Sequence, residues 1–177
     1  QYLAQGKYGA NVKTSVTPLE RNRVSLRFDI EEGAVSKIRN INIVGNQAFS
    51  TDELKEQFKL TTPDWMTWWN KNDQYSKQKL TADLEALRSF YMNQGYLEFN
   101  IDSTQVNITP DKRDIYITTN ITEGEKYTVT GIKVAGDTII PEEEIKSLIT
   151  VASGDTFNRQ ALTASTKAMS DRLGNEG

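Results

Sequence analysis

Ile38-Arg-Asn-Ile-Asn-Ile-Val-Gly-Asn46 opens the unit that decides the fold of this chain, and Ile115-Tyr-Ile-Thr-Thr-Asn-Ile-Thr-Glu-Gly124 closes it. Apolar and polar residues alternate in both stretches, which is typical of β-strands with one buried face. Two helical patterns and a further strand lie between them, so the order of elements is β-α-α-β-β. A sheet covered on one side by two helices forms a two-layer α+β core.

The same pattern recurs along the 177 residues. Glu32-Gly33 returns 91 positions later as Glu123-Gly124, and strand positions 41, 43 and 45 return at 132, 134 and 136. We therefore expect three units: residues 1–33, the helix end and β-hairpin of one unit; residues 34–125, a complete unit; and residues 126–177, the opening strand and two helices of another. Both ends of the chain would lie inside units, and whether these partial units exchange between molecules stays open.

Residues 1–33 carry the signals of a helix end followed by a hairpin. Tyr2-Leu-Ala-Gln-Gly6 indicates a helix C-terminus with Gly6 as its left-handed cap. Strands are expected over residues 8–16 and 24–30, around a turn at 17–22. The apolar residues of the second strand predict a half-buried face: Val24, Leu26, Phe28 and Ile30.

The two helices of the middle unit have clear start signals. Ser50 and Glu53 form a capping box, and Phe49 and Leu54 occupy the staple positions beside it. Tyr75-Ser76 repeats the staple and cap at the second helix. The apolar stripe of that helix follows the i, i+4, i+7 spacing: Leu80, Leu84, Leu87 and Tyr91.

An insertion separates these two helices. Tyr75-Ser76 corresponds to Phe157-Asn158 at an offset of 82 instead of 91, so the middle unit holds nine extra residues. They lie around Pro63–Asn70 and include all three tryptophans of the chain: Trp65, Trp68 and Trp69. These side chains either pack against the helices and the next unit or form an exposed aromatic anchor for a partner.

The first strand of the middle hairpin, residues 97–108, also differs in length. Gly6 precedes Pro18 by 12 positions, whereas Gly95 precedes Pro110 by 15, which predicts about three extra residues in the strand. The polar stretch Asp102-Ser-Thr104 is where we expect a β-bulge to absorb them.

Composition excludes several functions. The chain has no cysteine or histidine, so thiolate and imidazole zinc sites, cysteine nucleophiles and histidine bases are impossible. Ser76-x-x-Lys79 matches a serine–lysine pattern, but a helix cap followed by a solvated lysine explains it. Without a convergent acid, base and nucleophile we expect no enzyme, no cofactor and no metal.

Charge and hydropathy narrow the class further. The formal net charge of −3 argues against nucleic-acid binding, and the clamp of RNA-binding KH domains is absent, although their helix-and-sheet order is comparable. No apolar run approaches the ~18 residues of a membrane span. A binding scaffold is therefore favoured over an enzyme or a nucleic-acid module.

Three stretches resemble the POTRA (polypeptide-transport-associated) repeat of the Omp85 family: Ile41-Asn-Ile-Val-Gly-Asn46, Phe49-Ser-Thr-Asp-Glu-Leu54 and Asn100-Ile-Asp-Ser-Thr-Gln-Val106. The resemblance covers the whole chain and is strongest to the third repeat of outer-membrane β-barrel assembly proteins, so the flanks would end repeat two and begin repeat four. It implies tandem repeats, each with two helices on a mixed three-stranded sheet whose closing strand is central.

The resemblance also implies a place and partners. The chain would face the periplasm of a Gram-negative bacterium, ahead of a C-terminal outer-membrane barrel absent from this sequence. It would bind unfolded outer-membrane proteins and accessory lipoproteins by β-augmentation, in which an extended chain joins a sheet edge. A POTRA module of an Omp85 translocase for protein secretion and a nucleic-acid-binding βααββ module are the alternatives.

The resemblance places the partner-binding edge on the strand before the central one. Its expected residues are Phe99, Ile101, Gln105, Val106, Asn107 and Ile108, with Trp65, Trp68 and Trp69 as further partner or inter-repeat contacts. The regular, apolar end beyond the bulge would select a docked partner. The sequence leaves open which alternate backbone amides face outward.

Overall fold

The computed structural model describes residues 7–64, 67–136 and 139–175, without the side chains of Trp68 and Asn70. The predicted helix end at Tyr2–Gly6 therefore lies outside the described residues. In chain order the elements are β1 (Asn11–Leu19), β2 (Arg23–Glu31), β3 (Lys37–Val44), α1 (Thr51–Lys55), α2 (Thr67–Asn70), α3 (Lys77–Asn93), β4 (Asn100–Ile108), β5 (Asp114–Thr122), α4 (Glu142–Ser147) and α5 (Arg159–Gly174).

The middle unit is built on a mixed three-stranded sheet in the order β3-β5-β4. β5 runs parallel to β3 on one side and antiparallel to β4 on the other, so the closing strand is central, as the resemblance implies. Alternate residues of β5 face the helices and are buried: Ile115, Ile117, Thr119 and Ile121. The mixed α+β architecture is confirmed.

The core lies between this sheet and the helices. It joins the apolar residues of the strands to the buried faces of α1 and α3, and its helix and loop members are Leu54, Phe58, Leu60, Tyr75, Leu80, Leu87, Tyr91 and Phe99. Phe49 packs against this core, with its ring 5.3 Å from that of Tyr91 and perpendicular to it within about ten degrees. The stripe predicted for the second helix thus faces inward.

The predicted capping box of α1 is confirmed. The Glu53 amide donates to the Ser50 hydroxyl at 3.3 Å, and the Ser50 amide donates to the Glu53 carboxylate at 2.8 Å. The Ser50 hydroxyl also donates to the Glu53 carboxylate, at 2.7 Å. This bond and the one from the Ser50 amide lower the pKa of the Glu53 carboxyl, because both favour its charged form. At α3 the prediction is only half right: Ser76 is the N-cap residue, but its side chain forms no capping hydrogen bond.

A buried carboxylate on α3 holds the loop that follows α1. Asp83 is almost fully buried and accepts the amides of Lys59 at 2.8 Å and Leu60 at 2.9 Å. At the corresponding place after α4, the amide of Thr150 donates to the buried hydroxyl of Ser165 at 3.0 Å. The two polar ties lie at the offsets of 91 and 82 that relate the units in sequence.

A second carboxylate ties the sheet to the loop before α1. Glu123 follows the end of β5 and accepts the amides of Gln47 at 2.9 Å and Ala48 at 3.1 Å and the hydroxyl of Tyr91 at 2.8 Å. Burial, reinforced by this hydrogen bond, raises the pKa of Tyr91 well above its usual range, so the phenol stays neutral. Strand, loop and long helix are thereby fixed to one another.

The hairpin β1–β2 differs from the expectation. Both strands form, antiparallel and in unbroken register from Asn11–Glu31 to Leu19–Arg23, so the turn is shorter than the predicted 17–22. The expected half-buried face is wrong, because every residue of both strands is exposed. Alternation indicates a strand with an apolar face, but in the described part of the chain no helix covers that face.

The strand expected at the start of the third unit is also wrong. Residues 129–135 form no strand, and the neighbouring Thr128 makes only an isolated bridge to Thr156. In the middle unit the equivalent β3 is held by β5. Because the described residues after 136 contain helices and loops but no strand, residues 129–135 have no such neighbour there.

We expect Asp83→Ala to lower the free energy of unfolding by roughly 2–3 kcal/mol, because two loop amides lose a charged acceptor. Urea unfolding followed by circular dichroism measures this change. Glu85→Ala on the same helix is the matched control, since its side chain is 68% exposed and its ion pair with Arg88 is worth at most about 1 kcal/mol. Equal stability of the two variants would contradict a structural role for the buried carboxylate.

Candidate partner-binding edge

β4 has β5 as its only strand neighbour among the described residues, so its other side is an open sheet edge. Such an edge presents N–H and C=O groups that another extended chain can pair with. The six residues predicted for the partner-binding edge lie on or beside this strand. The burial of each side chain and the direction of its backbone groups decide whether it can contact a partner.

The hydrogen bond at the turn fixes the phase of the ladder. The amide of Thr109 donates to the carbonyl of Asp114 at 2.9 Å, so these opposed residues are a hydrogen-bonded pair. Hydrogen-bonded and non-hydrogen-bonded pairs alternate along antiparallel strands. Counting back through the register, Asn107 opposite Tyr116 and Gln105 opposite Thr118 direct their backbone groups toward β5.

The residues between them direct their backbone groups outward. Ile108, Val106 and Thr104 are the non-hydrogen-bonded positions, so their N–H and C=O groups point away from β5. Their side chains are half-buried, and those of Val106 and Ile108 pack against the core. Core packing therefore holds the outward-facing backbone groups of Val106 and Ile108 in place.

The β-bulge lies where the sequence predicted it. The register passes from Ile101–Ile121 to Ser103–Asn120, which leaves Asp102 as the extra residue. Its carboxylate accepts the Asn100 side-chain amide and the Thr122 hydroxyl, each at 2.7 Å. A regular run from Ser103 to Ile108 begins beyond the bulge.

The prediction of three extra residues in this strand is wrong. β1 and β4 both contain nine residues, and the bulge accounts for one residue of β4. Pro18 lies within β1, opposite Val24, whereas Pro110 lies in the turn after β4. The two prolines are therefore not at equivalent positions, and their spacing overstated the difference.

Phe99 belongs to the core instead of the edge. It precedes β4, is 3% exposed and stacks on Tyr91 with 4.2 Å between the ring centroids. Its side chain is unavailable to a partner, which corrects that part of the prediction. Ile101 is half-buried against the same core, on the other side of the bulge from the regular run.

The run Ser103–Ile108 has none of the features that normally protect a sheet edge. Proteins commonly block edges with lysine, proline or a bulge within the edge. These six residues include no charged side chain and no proline. The exposed side chains of Gln105 and Asn107 face the open side of the sheet and are neutral.

The opposite edge, β3, is protected. Lys37 and Arg39 are charged, and the register with β5 breaks between Ile38 and Asn40. The Arg39 guanidinium lies 2.7 Å from the Asp114 carboxylate, whose bond and charge raise the pKa of the arginine further. Of the two edges of this sheet, β4 is the one open to an extended partner.

Of the three tryptophans, Trp69 is the one whose side chain is described. Trp69 lies on α2 and its side chain is 77% exposed. Trp65 lies outside the described residues, and the side chain of Trp68 is not described. The short helix is anchored by the buried Thr67, whose hydroxyl donates to the Asp64 carbonyl at 2.8 Å.

Two polar ties that sequence reasoning did not identify position this edge indirectly. Glu123 fixes the end of β5, on which β4 is paired, and Asp83 fixes α3, on which the core side of the sheet packs. Both link residues more than twenty positions apart, so no local spacing reveals them.

None of the helices in the described ranges has the length and hydropathy needed to cross a membrane.

Comparison with known proteins places this geometry in a family. The POTRA family, described as "Surface antigen variable number repeat", matches residues 36–124 and 127–177. The outer membrane protein assembly factor BamA of Neisseria meningitidis serogroup B is 34% identical over 178 residues, covering 100% of this chain and 22% of that protein. BamA of Buchnera aphidicola is 34% identical over 163 residues, covering 91% of this chain and 26% of the relative.

A solved structure has the same fold. Haemophilus influenzae BamA POTRA3-5 aligns with a TM-score of 0.61 at 19% identity, covering 97% of this chain and 65% of that one. The chain spans about a quarter or less of the curated relatives it matches. The β-α-α-β-β order of the middle unit, its central closing strand and these matches together show that the chain belongs to the POTRA family.

Proposed function

We propose that this chain is a periplasmic scaffold module of an Omp85-type outer-membrane assembly factor. It binds unfolded outer-membrane proteins and accessory lipoproteins by β-augmentation at β4, during barrel folding and membrane insertion, and it performs no catalysis. The similarity to BamA proteins over the whole chain supports the setting, and the open edge of β4 supports the mode of binding.

In this proposal the chain comprises one whole repeat and parts of two others. Residues 1–33 end the second repeat, residues 34–125 form the third, and residues 126–177 begin the fourth. The whole protein is held at the outer membrane by a barrel that follows the repeats. The repeated polar ties after α1 and α4 and the paired offsets of 91 and 82 support this division.

One observation carries the proposal: the backbone N–H and C=O groups of every second residue of β4 point away from β5. These residues are Thr104, Val106 and Ile108. Backbone groups recognise any extended chain, because every client offers the same N–H and C=O pattern. The neutral run around them adds no charge that would reject acidic or basic clients. A receptor for many unfolded proteins requires this tolerance.

The magnitude of these interactions predicts reversible binding. Three peptide units supply at most six hydrogen bonds, each worth about 1 kcal/mol net. Association and ordering of a flexible client cost on the order of 4–15 kcal/mol. Backbone pairing alone therefore gives weak, transient capture of clients, and a stably docked lipoprotein needs side-chain contacts in addition.

We propose that Trp69, which is exposed on α2, supplies such a contact. Large exposed aromatic side chains are common anchors in protein interfaces. Its high exposure favours the anchor hypothesis over packing within the unit. In our proposal clients use the edge of β4, and a lipoprotein uses that edge together with Trp69.

We expect Val106→Pro to remove binding of both an extended outer-membrane-protein peptide and the lipoprotein while the unit stays folded. Proline lacks the outward N–H at this position, but the bonds of β4 to β5 come from its neighbours. Val106→Ala, which loses the same side chain and keeps the amide, is the matched control. Fluorescence anisotropy measures binding, and circular dichroism verifies folding.

Asn107→Pro tests the assigned direction of the amides. It removes a bond within the sheet, so we expect a lower free energy of unfolding, by ~1 kcal/mol or more. Wild-type affinity of a folded Val106→Pro variant would rule out augmentation at this edge. A stable Asn107→Pro variant that has lost binding would show that the opposite parity faces outward.

Trp69→Ala should weaken lipoprotein binding more than peptide binding, and the free energy of unfolding should change by less than about 1 kcal/mol. Trp69→Phe retains an aromatic ring and is the control for anchoring. Trp68→Ala is measured beside it, since a core position would cost ~3 kcal/mol or more. Unchanged affinity of Trp69→Ala for the lipoprotein would remove this residue from the proposed interface.

A further inference from the structure

The open edge of β4 carries two different rows of side chains, one on each face of the sheet. Successive side chains of a strand point to opposite faces. The inner row lies on the helix side and is half-buried: Thr104, Val106 and Ile108. The outer row lies on the other face and is exposed: Ser103, Gln105 and Asn107. A partner strand on this edge therefore meets a different environment on each face.

The inner row ends in two apolar residues that are incompletely covered. Val106 and Ile108 pack against the core but remain half-buried. They lie opposite Ile117 and Ile115 of the central strand. Those two isoleucines are 1% and 0% exposed, and β5 has a strand on each side. An apolar side chain of a further strand, placed beside Val106 or Ile108, would therefore remove more apolar surface from water.

The outer row continues across the sheet as a polar, uncharged surface. From β4 through β5 to β3, the register gives the rows Asn107–Tyr116–Asn40, Gln105–Thr118–Asn42 and Ser103–Asn120–Val44. None of these residues is charged. The side-chain amides of Gln105 and Asn107 form no hydrogen bond with another described residue. They are available to donate to, and accept from, polar side chains of a neighbouring strand.

Pairing transmits the difference between the two rows to the partner. Residues directly opposite one another on neighbouring strands have their side chains on the same face, with Cβ atoms about 4.5–5.5 Å apart. A partner residue opposite Val106 therefore contacts the inner row, and the residues on either side of it contact the outer row. Parallel and antiparallel partners behave alike in this respect, because the side chains of both alternate with a period of two.

We propose that the edge of β4 selects clients by the period of their sequence, and that it prefers segments in which apolar and polar residues alternate. The apolar residues extend the inner row beside Val106 and Ile108, and the polar residues extend the outer row beside Gln105 and Asn107. Strands of membrane β-barrels have this pattern over about ten residues, because their side chains face lipid and lumen in turn. The inference rests on the proposed binding of outer-membrane proteins at β4 and adds a preference to it.

A preference for period differs from recognition of a particular sequence. Different apolar residues fit beside the inner row and different polar residues fit beside the outer row, so clients of unrelated sequence remain acceptable. A segment of helical period has apolar residues at every third or fourth position, and in extended form it places them on both faces. A slip of one residue exchanges the faces, so an alternating client is held in one parity of register.

Two peptides of identical composition test the preference. Each has the length of a barrel strand, about ten residues, with capped ends and a fluorophore. One alternates valine with threonine, and the other has all its valines before all its threonines. Both residue types favour extended backbone, so the peptides differ in period alone. By fluorescence anisotropy the alternating peptide should bind about tenfold more tightly, as expected from two or three favourable cross-strand contacts.

Disulfide trapping identifies the face, because the chain has no cysteine of its own. Gln105 directs its backbone groups toward β5, so it forms a non-hydrogen-bonded pair with a partner strand, which is the closer kind of pair. With Gln105→Cys, an alternating peptide that has cysteine in place of a central threonine should form the disulfide. The same peptide with cysteine in place of the neighbouring valine should form little. Asn42→Cys is the matched control, since Asn42 is exposed on the same face but lies on the opposite edge strand, and it should trap neither peptide.

Variants of the outer row test the contribution of the chain. Gln105→Val combined with Asn107→Val should remove the advantage of the alternating peptide, because apolar side chains then have favourable neighbours on both faces. Gln105→Ser combined with Asn107→Ser keeps the row polar and should retain the advantage. Both positions are exposed, so folding should persist by circular dichroism.

The outcomes separate this preference from augmentation itself. Equal affinity of the two peptides for the wild type, or equal trapping of the two cysteine positions, overturns the preference and leaves binding at β4 intact. Wild-type affinity of the alternating peptide for a folded Val106→Pro variant overturns augmentation at β4, and the preference with it. Absence of binding by either peptide has the same consequence.

Discussion

The fold depends on β5, whose backbone is hydrogen-bonded on both sides. It pairs with β3 through one set of alternate residues and with β4 through the other, and its inward side chains Ile115, Ile117, Thr119 and Ile121 form the floor of the core. With the central position occupied, the other two strands must be edges. A three-stranded sheet of this kind cannot avoid two rows of outward-facing peptide groups, so the protein must protect them or use them.

The two edges of the sheet meet this constraint differently. β3 carries Lys37, Arg39 and an interruption in its register, which discourage a further strand. β4 confines its bulge to Asp102 and leaves the run Ser103–Ile108 regular, neutral and held from beneath by the core packing of Val106 and Ile108. A rigid and uncharged row of peptide groups suits brief pairing with extended chains of unrelated sequence.

Much of the middle unit could be predicted from local patterns. Alternation identified the strands, the spacing of Ser50 and Glu53 identified the start of α1, and a polar interruption in an apolar strand identified the bulge. The ties made by Asp83 and Glu123 could not be found in this way, because each joins backbone and side chains that meet only in the folded unit. Phe99 was misplaced because alternation does not show where a turn ends and a strand begins.

The errors outside the middle unit have one physical cause. An alternating stretch indicates that one face is apolar, but burial requires a layer that covers this face, and strand geometry requires a neighbour that pairs with the backbone. β2 has an apolar face without a cover in the described structure, and residues 129–135 have the sequence of a strand without a partner. The alternating sequence therefore showed correctly that each segment has one apolar face. It did not show that the described residues provide no covering layer for β2 and no pairing strand for residues 129–135.

Amide hydrogen exchange measured residue by residue is the most direct test of the open edge of β4. In the free chain, the amides of Val106 and Ile108 should exchange rapidly, whereas those of Gln105 and Asn107 should be protected by β5. Addition of an extended outer-membrane-protein peptide should slow exchange at Val106 and Ile108 selectively. Equal protection of neighbouring amides in the free chain, or an unchanged pattern when the peptide is bound, would contradict the account.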